Sequence, residues 1–187
     1  SWTAVSTELK ISYVLSLAVS GTNLFAGTYG GVFLSTNNGT SWTAVNTGLP
    51  DTIVRSLAVS GTNLFAGTWD GVFLSTNNGT NWTEVNSGLS NLIVNALSVS
   101  PNGAGGTNLF AGTEGGGVFL STNNGTSWTE VNSGLTNTEV LALAVSPNRS
   151  GGTNLFAGTW VGVFLSANNG TSWTEANYGL ASAYVQS

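Results

Sequence analysis

The feature that most constrains the fold is an eight-residue segment that occurs four times with almost no change. Its first copy reads Ser-Thr-Asn-Asn-Gly-Thr-Ser-Trp from Ser35 to Trp42, and the others begin at Ser75, Ser121 and Ser166. Each copy follows an apolar Gly-Val-Phe-Leu run and leads into a second β-rich run. Because Asn-Gly between two such runs is a strong hairpin signal, we predict a tight turn between neighbouring strands at every copy.

The segment also carries its own turn chemistry. Gly39 can adopt a positive φ without a Cβ clash, and Asn38 tolerates that conformation better than most residues. The Ser35 hydroxyl and the Asn37 amide are short enough to bond the backbone N–H groups of the turn, and the Trp42 indole can fold back over it. We call this segment the box; its structural residues are Ser35, Asn37, Gly39, Trp42, Ser75, Asn77, Gly79, Trp82, Ser121, Asn123, Gly125, Trp128, Ser166, Asn168, Gly170 and Trp173.

The box belongs to a longer repeat. The box tryptophans stand at positions 42, 82, 128 and 173, with Trp2 in a similar context before them. The extra residues of the later repeats fall in turns, such as Pro101–Gly106, and helical periodicity is absent. Each repeat holds four strand-like runs separated by Gly, Asn, Thr or Pro, which is the pattern of a β-propeller blade.

We therefore predict an all-β chain, a β-propeller of four-stranded blades about 40–46 residues long. A single repeat domain would span residues 1–187, with complete blades near 14–45, 54–85, 94–131 and 140–176, the outer strand of a preceding blade at 1–5 and the start of a following blade at 177–187. A parallel β-helix has shorter repeats, and a β-sandwich does not explain the fixed period. The layout fits a slice of a longer array, a unit completed by another copy, or a compact four-bladed monomer with a spare strand.

Composition excludes several classes of partner and chemistry. Only 6% of the residues are charged, the net charge is −5, and the positive side chains are Lys10, Arg55 and Arg149, so nucleic acid is not an expected partner. No apolar run is long enough to span a membrane, so we expect no membrane insertion. The chain has no Cys and no His, which removes disulfides, thiolate metal sites and the commonest general base. We expect no cofactor and no metal.

The box resembles the Asp-box repeat of bacterial neuraminidases, Ser-x-Asp-x-Gly-x-Thr/Ser-Trp. The matching positions in the first copy are Ser35, Gly39, Ser41 and Trp42, and the other three copies match in the same way except that Asn81 replaces the Ser/Thr of the second. Asn stands where the family usually has Asp, which keeps the acceptor oxygen and loses the charge. The resemblance implies a β-propeller and says little about function, because the family includes sialidases, xyloglucan hydrolases, receptor ectodomains and photosystem assembly factors, and its box lies away from their active sites.

Sequence diversity between the repeats points to one face of the blades. In a four-stranded blade, the turn between strands two and three lies on the same face as the connection to the next blade. The repeats differ mainly there, and variation on an invariant frame is how a scaffold carries a site. Flat rings beside hydrogen-bonding groups suit a sugar ring. The candidate ligand-binding residues are Tyr29, Arg55, Trp69, Asp70, Glu114 and Trp160.

These patterns favour a non-catalytic scaffold or binding module of a secreted or cell-surface protein, with a glycan or a protein as its ligand. The first alternative is a glycoside hydrolase or its remnant, for which Asp70 and Glu114 are the one pair of carboxylates to consider. The second is a structural repeat unit that assembles through its open ends, as a homo-oligomer or as part of a longer array. Asn-Gly-Thr sequons recur at Asn38, Asn78, Asn124 and Asn169, but hairpin chemistry by itself generates this triplet.

Overall fold

The computed structural model describes residues 13–50, 53–148, 152–180 and 184–185, and these residues form strands and turns. The predicted outer strand at residues 1–5 lies outside this part of the chain. The strands are β1 (Val14–Ser20), β2 (Asn23–Thr28), β3 (Gly31–Ser35), β4 (Thr43–Ala44), β5 (Val54–Ser60), β6 (Asn63–Thr68), β7 (Gly71–Ser75), β8 (Thr83–Glu84), β9 (Val94–Pro101), β10 (Thr107–Thr113), β11 (Gly117–Ser121), β12 (Thr129–Glu130), β13 (Val140–Pro147), β14 (Thr153–Thr159), β15 (Gly162–Ser166) and β16 (Thr174–Glu175).

The strands form four antiparallel sheets of four, each built from strands that are consecutive in sequence. We number these sheets blade 1 (β1–β4) to blade 4 (β13–β16). The first strand of each blade packs beside the first strand of the next, so β1, β5, β9 and β13 lie in a row. This arrangement confirms the predicted all-β propeller architecture. The outer strand of each blade is short, pairing through two residues only, and begins one residue after the box tryptophan.

Alternating side chains of each strand fill two interfaces. Phe65 points from blade 2 towards blade 3 and is fully buried there, whereas its neighbour Leu64 packs against blade 1. Both faces of a blade are therefore apolar, which a single sheet cannot bury alone. Three buried clusters result, between blades 1 and 2, 2 and 3, and 3 and 4. In the described residues no comparable cluster joins blade 4 to blade 1.

Every innermost strand contains a β-bulge close to its start. In blade 2, Val54 pairs with Thr68 and Ser56 with Gly67, so Arg55 is the extra residue. The same shift leaves Leu15, Asn95 and Leu141 as the extra residues of the other blades. A bulge redirects a side chain out of the regular alternation of the strand, and this matters for Arg55 and Asn95 below.

The box turns have the predicted self-capped geometry. In blade 1 the Ser35 hydroxyl accepts from Gly39 N at 2.8 Å and donates to Asn37 Oδ1 at 3.0 Å, while Asn37 Oδ1 also accepts from Ser41 N at 2.9 Å. Asn38 adopts φ 56° and Gly39 φ 84°, and the asparagines of the other boxes have the same positive φ. Side chains that bond the local backbone thus hold two consecutive left-handed residues in place.

The box tryptophans make contacts with the preceding blade that the sequence analysis did not predict. A side chain at Gly79 would contact the Trp82 indole, so the ring lies over its own turn as expected. The indole also reaches the preceding blade, where Nε1–H donates to Val45 O at 2.7 Å and the backbone N–H donates to Thr47 O at 2.8 Å. Trp128 and Trp173 repeat both bonds in the next two blades. Each box therefore caps a hairpin and ties two blades together.

Candidate functional site

The turns between strands two and three of each blade carry most of the predicted site residues. In blade 1 the buried Thr28 hydroxyl donates to Gly31 O at 2.9 Å and accepts from Gly30 N at 3.0 Å. Thr68 and Thr159 clamp the turns of blades 2 and 4 in the same way. Because the threonine closes the turn from inside, the residue that follows it faces solvent. We call this surface the turn face.

A second clamp comes from an asparagine that the sequence analysis did not single out. Asn46 Oδ1 accepts from Val32 N at 2.7 Å, and its Nδ2 donates to Gly30 O at 3.2 Å. Asn86 and Asn132 make both bonds in blades 2 and 3, and Asn177 Oδ1 accepts from Val163 N in blade 4. The signal was present in the sequence, because an asparagine recurs fourteen residues after the valine of every third strand.

Three blades present a half-exposed aromatic ring at the equivalent position. Tyr29, Trp69 and Trp160 are 51%, 48% and 50% exposed. Tyr13 lies against Tyr29 with ring centroids 5.3 Å apart at 55°, and Tyr184 lies against Trp160 at 4.7 Å and 56°. Tilted packing of this kind is a favourable aromatic geometry. Each ring is therefore supported on one side and open on another.

Arg55 supports the third ring and links it to the neighbouring blades. Its guanidinium carbon lies 5.7 Å from the ring centroid of Trp69, within the range of a cation–π contact. Arg55 Nη1 also donates to Asn95 Oδ1, and Asn95 Nδ2 donates to Val140 O at 3.0 Å. Both side chains belong to β-bulge residues. A polar chain thus runs across blades 2, 3 and 4 beside Trp69, and Arg55 and Trp69 are the two predicted site residues that the structure brings into contact.

Blade 3 has a different turn. Glu114 takes the place of the aromatic residue, and the additional glycine lets the turn reach the connection to blade 4, where Gly117 N donates to Thr138 O at 2.8 Å. The Glu114 backbone is tied by Asn91 Nδ2, which donates to Glu114 O at 2.6 Å. Glu114 pairs through its backbone with Glu139, so its neighbouring acidic residue comes from the blade connection.

Asp70 lies in a different environment from Glu114. It follows Trp69 in the turn of blade 2 and lines an open hollow of about 620 Å³ together with Glu84, Leu49, Pro50 and other residues between blades 1 and 2. The hydrogen bonds at Asp70 are made by its backbone: its N–H donates to Thr68 Oγ1 at 3.0 Å and its carbonyl accepts from Asn86. Asp70 is therefore held in its turn through its backbone, at the edge of this hollow.

A cavity of about 410 Å³ lies on the opposite face, between blades 3 and 4. Pro101, Pro147 and Val145 contribute apolar side chains to its walls, Thr153 also lines it, and Ala167 lines it where the other three boxes have threonine. The sequence analysis treated the two inserted loops as simple turns. The inserted loops and the alanine of the fourth box all depart from the repeat. These departures were the sequence signal available for predicting the cavity.

Two further searches concern metals and membranes. In residues 13–50, 53–148, 152–180 and 184–185, no three His, Cys, Asp or Glu side chains come together as a group able to hold a metal ion. The same residues contain no helix with the length and apolarity needed to cross a membrane.

Comparison with solved structures shows the same fold. An ancestral GH74 enzyme superposes with a TM-score of 0.68 at 22% identity, over 88% of this chain and 24% of that chain. The extracellular domain of a one component system from B. thetaiotaomicron gives 0.73 at 19%, over 93% and 24%. The GH74 xyloglucanase from Xanthomonas campestris gives 0.67 at 17%, over 88% and 30%. The chain thus spans less than a third of the length of each.

No curated protein matches the chain. The sequence model described as the DUF6242 beta propeller domain matches residues 22–155, which is more than two thirds of the 187 residues and includes blades 2 and 3 completely. The match agrees with the four-stranded sheets and their order around the array. The chain therefore belongs to the DUF6242 β-propeller domain family.

Proposed function

We propose that this chain is a non-catalytic binding module whose ligand-binding surface is the turn face. The observation that carries the proposal is the recurrence of a half-exposed ring, Tyr29, Trp69 or Trp160, at the same position of three blades. Aromatic rings normally pack away from water. Exposed rings that recur at one position of the repeat and are supported by neighbouring side chains therefore favour a binding surface. The Thr and Asn clamps beneath the turns hold these rings on a rigid frame, which lowers the entropy cost of binding.

A carbohydrate is the ligand that suits this surface best. The flat rings offer stacking partners for the C–H faces of a sugar, and Arg55, Asp70 and Glu114 lie in or beside the same turns with groups that can bond hydroxyls. The structural neighbours of this chain include a xyloglucanase, so xyloglucan oligosaccharides are the first ligands to test. A protein ligand is the alternative partner for the same face.

We also interpret the box as an Asp-box in which Asn replaces the acid. The support is chemical: Asn37 Oδ1 accepts from Ser41 N and from the Ser35 hydroxyl, and a carboxylate oxygen would accept the same two bonds. The Nδ2 group adds a bond to Ser41 Oγ at 2.9 Å that a carboxylate cannot donate. The substitution therefore keeps the turn and removes a charge from a chain already poor in charges.

The absence of catalysis is part of the proposal. A sialidase binds its substrate carboxylate through three arginines, and this chain has two. The glycosidase alternative requires two cooperating carboxylates, whereas Asp70 lines the hollow between blades 1 and 2 and Glu114 lies in the turn of blade 3, where its backbone pairs with Glu139. Hydrolysis of xyloglucan that disappears in Glu114→Gln would support the enzyme instead.

We place the protein outside the cell or at its surface. One structural neighbour is an extracellular domain, and a polar surface of Ser, Thr, Asn and Gly with few charges suits a carbohydrate-binding module. Detection of the native protein in the secreted or surface fraction would agree with this location, and its confinement to the cytoplasm would contradict it.

The binding proposal is tested with a glycan array followed by calorimetry. We expect glycan binding that falls at least tenfold in Trp69→Ala and Trp160→Ala. The matched control is Thr76→Ala, because Thr76 lies in the box turn on the opposite face and blade 4 already has alanine there. An array without any bound glycan, or binding that Trp69→Ala and Trp160→Ala leave unchanged, would contradict a carbohydrate site on the turn face.

A further inference from the structure

The sequence contains five Asn-Gly pairs, and the structure places them in two different environments. Four lie in the box turns and begin at Asn38, Asn78, Asn124 and Asn169, and the fifth is Asn102-Gly103 in the loop between β9 and β10. In such a pair the backbone nitrogen of glycine can attack the side-chain amide of asparagine, because glycine has no Cβ to hinder the approach. The surroundings of that nitrogen therefore decide which pairs react.

The box turns withhold the nitrogen that this reaction needs. In blade 2, Gly79 is buried and its N–H donates to the Ser75 hydroxyl at 2.8 Å. The glycines of the other three boxes are also buried and make the same bond at the same distance; they are Gly39, Gly125 and Gly170. The nitrogen must lose its proton before it attacks, and a buried N–H is costly to separate from its acceptor. The box serine thus protects the asparagine in addition to capping the turn.

The inserted loop of blade 3 leaves its nitrogen available. Gly103 is exposed, and in the described part of the chain its N–H donates to no protein group. Asn102 Oδ1 accepts from Ala104 N at 2.9 Å, which folds the asparagine side chain back along the loop. The ring closed by this bond includes the Gly103 nitrogen. The nucleophile and the side-chain carbon that it attacks are therefore held close together, which favours the reaction.

The same side-chain oxygen is placed to carry negative charge. Asn102 Oδ1 accepts a second bond, from Gly106 N at 2.9 Å. Attack on the side-chain carbon moves negative charge onto this oxygen, and two backbone N–H groups that point at it stabilise the charge as an oxyanion hole does. Gly106 also leaves room beside the amide nitrogen, since a Cβ there would lie 2.7 Å from Asn102 Nδ2.

We propose that Asn102-Gly103 is a site of self-modification by deamidation, whereas the four box pairs are protected from it. The Gly103 nitrogen loses its proton to solvent hydroxide and forms a bond to Asn102 Cγ. The bond from Cγ to Nδ2 then breaks, and Nδ2 takes up a proton from water and leaves as ammonia. Water opens the resulting succinimide ring at either carbonyl, which gives aspartate or isoaspartate without any change of oxidation state.

The modification changes the cavity between blades 3 and 4. Asn102 and Gly103 both line this cavity, and none of its described lining residues is charged. Either product places a carboxylate there, on the face opposite the turn face. Aspartate can keep both bonds from Ala104 N and Gly106 N, whereas isoaspartate lengthens the backbone and changes the loop. The proposal does not depend on ligand binding at the turn face.

Blade 4 contains a natural control. Asn148 has the position of Asn102, since its N–H donates to Gly152 O at 2.9 Å and its Oδ1 accepts from Gly152 N at 2.8 Å. Arginine follows it in the sequence instead of glycine. Because a residue with a Cβ hinders attack by its own nitrogen, Asn148 should remain an amide under conditions in which Asn102 reacts.

The test is peptide mapping of the full chain by mass spectrometry after incubation at mildly alkaline pH, in parallel with a sample unfolded in guanidinium chloride. Conversion of the amide to an acid raises the mass of the peptide, and chromatography separates aspartate from isoaspartate. In the folded chain we expect Asn102 to convert about tenfold faster than any box asparagine, or more. We also expect it to convert faster than in the unfolded chain, where all five pairs should react at similar rates.

Two results of this comparison would overturn the proposal. One is a folded chain in which the box asparagines convert as fast as Asn102. The other is an Asn102 that converts more slowly in the folded chain than in guanidinium chloride, because the loop would then hinder the reaction. Conversion of Asn148 at the rate of Asn102 would likewise contradict the role of the glycine nitrogen.

Ser75→Ala tests the protection in one box. The variant removes the acceptor of Gly79 N, so Asn78 should convert about tenfold faster than in the parent chain, while Asn124 of blade 3 stays unconverted in the same molecules. Thr76→Ala is the matched control, because Thr76 is exposed in the same turn and the bond from Gly79 N to Ser75 is kept. An unchanged rate at Asn78, or conversion of Asn78 and Asn124 together, would show that the serine is not the protecting group.

Discussion

Trp82 donates its indole Nε1–H to the carbonyl of Val45 at 2.7 Å, which ties blade 2 to the outer end of blade 1. The ring is 5% exposed and belongs to the apolar cluster between these blades. The bond is therefore shielded from water, and removing its donor leaves a carbonyl without its indole partner. The same relation joins blades 2 and 3 through Trp128, and blades 3 and 4 through Trp173.

Replacing this indole should weaken the array. Trp82→Phe keeps an aromatic ring and removes the donor, and we expect a loss of about 1–3 kcal/mol in the free energy of unfolding from the unpaired carbonyl. Urea denaturation followed by circular dichroism measures the change. Trp69→Phe on the turn face is the control and should change stability by less than about 0.5 kcal/mol, as expected for a surface position. Equal losses in both variants would mean that the interblade bond contributes nothing.

Substitutions at two glycines with positive φ distinguish the cost of backbone strain from the cost of steric crowding. A Cβ at Gly48, where φ is 89°, would lie 2.3 Å from Trp82 O, whereas a Cβ at Gly21, where φ is 60°, would meet nothing within 4 Å. Gly21→Ala should cost about 1–2 kcal/mol through the left-handed conformation alone. Gly48→Ala should cost clearly more, because the clash lies at the same contact between blades. Thermal melting of both variants checks the order, and equal melting temperatures would contradict it.

Two serines at the same position of neighbouring blades should respond oppositely to alanine. Ser56 Oγ accepts from Leu97 N at 2.9 Å, whereas Ser16 Oγ is buried without a hydrogen-bond partner. Blades 3 and 4 already have alanine at this position, as Ala96 and Ala142. We expect Ser56→Ala to destabilise the protein by about 1–3 kcal/mol, because it removes the partner of a backbone donor.

Ser16→Ala should leave stability unchanged or raise it slightly, since it removes a buried hydroxyl that bonds nothing. Denaturant midpoints of the two variants, measured side by side with the parent, provide the comparison. A larger loss for Ser16→Ala than for Ser56→Ala would show that the hydrogen bonding differs from that described above.

The sequence predicts the parts of this fold that depend on local chemistry. The box turn follows from Asn38 and Gly39, which accept positive φ, and from Ser35 and Asn37, whose side chains reach only their own turn. The blade follows from four strand-like runs at a fixed period. In both cases the interacting residues are close in the chain, so the pattern contains the information.

The parts that the sequence does not predict depend on contacts between blades. Trp82 donates a hydrogen bond to Val45, thirty-seven residues away, and Arg55 donates one to Asn95, forty residues away. The β-bulges that direct Arg55 and Asn95 are set by pairing with the next strand and leave no mark in the residue pattern. Glu114 illustrates the same limit, since its backbone pairs with Glu139 in the connection between blades 3 and 4.

The most direct test of the division between structural and binding tryptophans is an NMR titration that follows the indole Nε1–H signals of the seven tryptophans. The strongest glycan from the array and xyloglucan oligosaccharides are each titrated into the protein, up to millimolar ligand concentration. We predict that the signals of Trp69 and Trp160 shift, while those of Trp82, Trp128 and Trp173 exchange slowly with solvent and stay in place. Shifts at the three box indoles with Trp69 and Trp160 unmoved, or no shift with either ligand, would contradict the account.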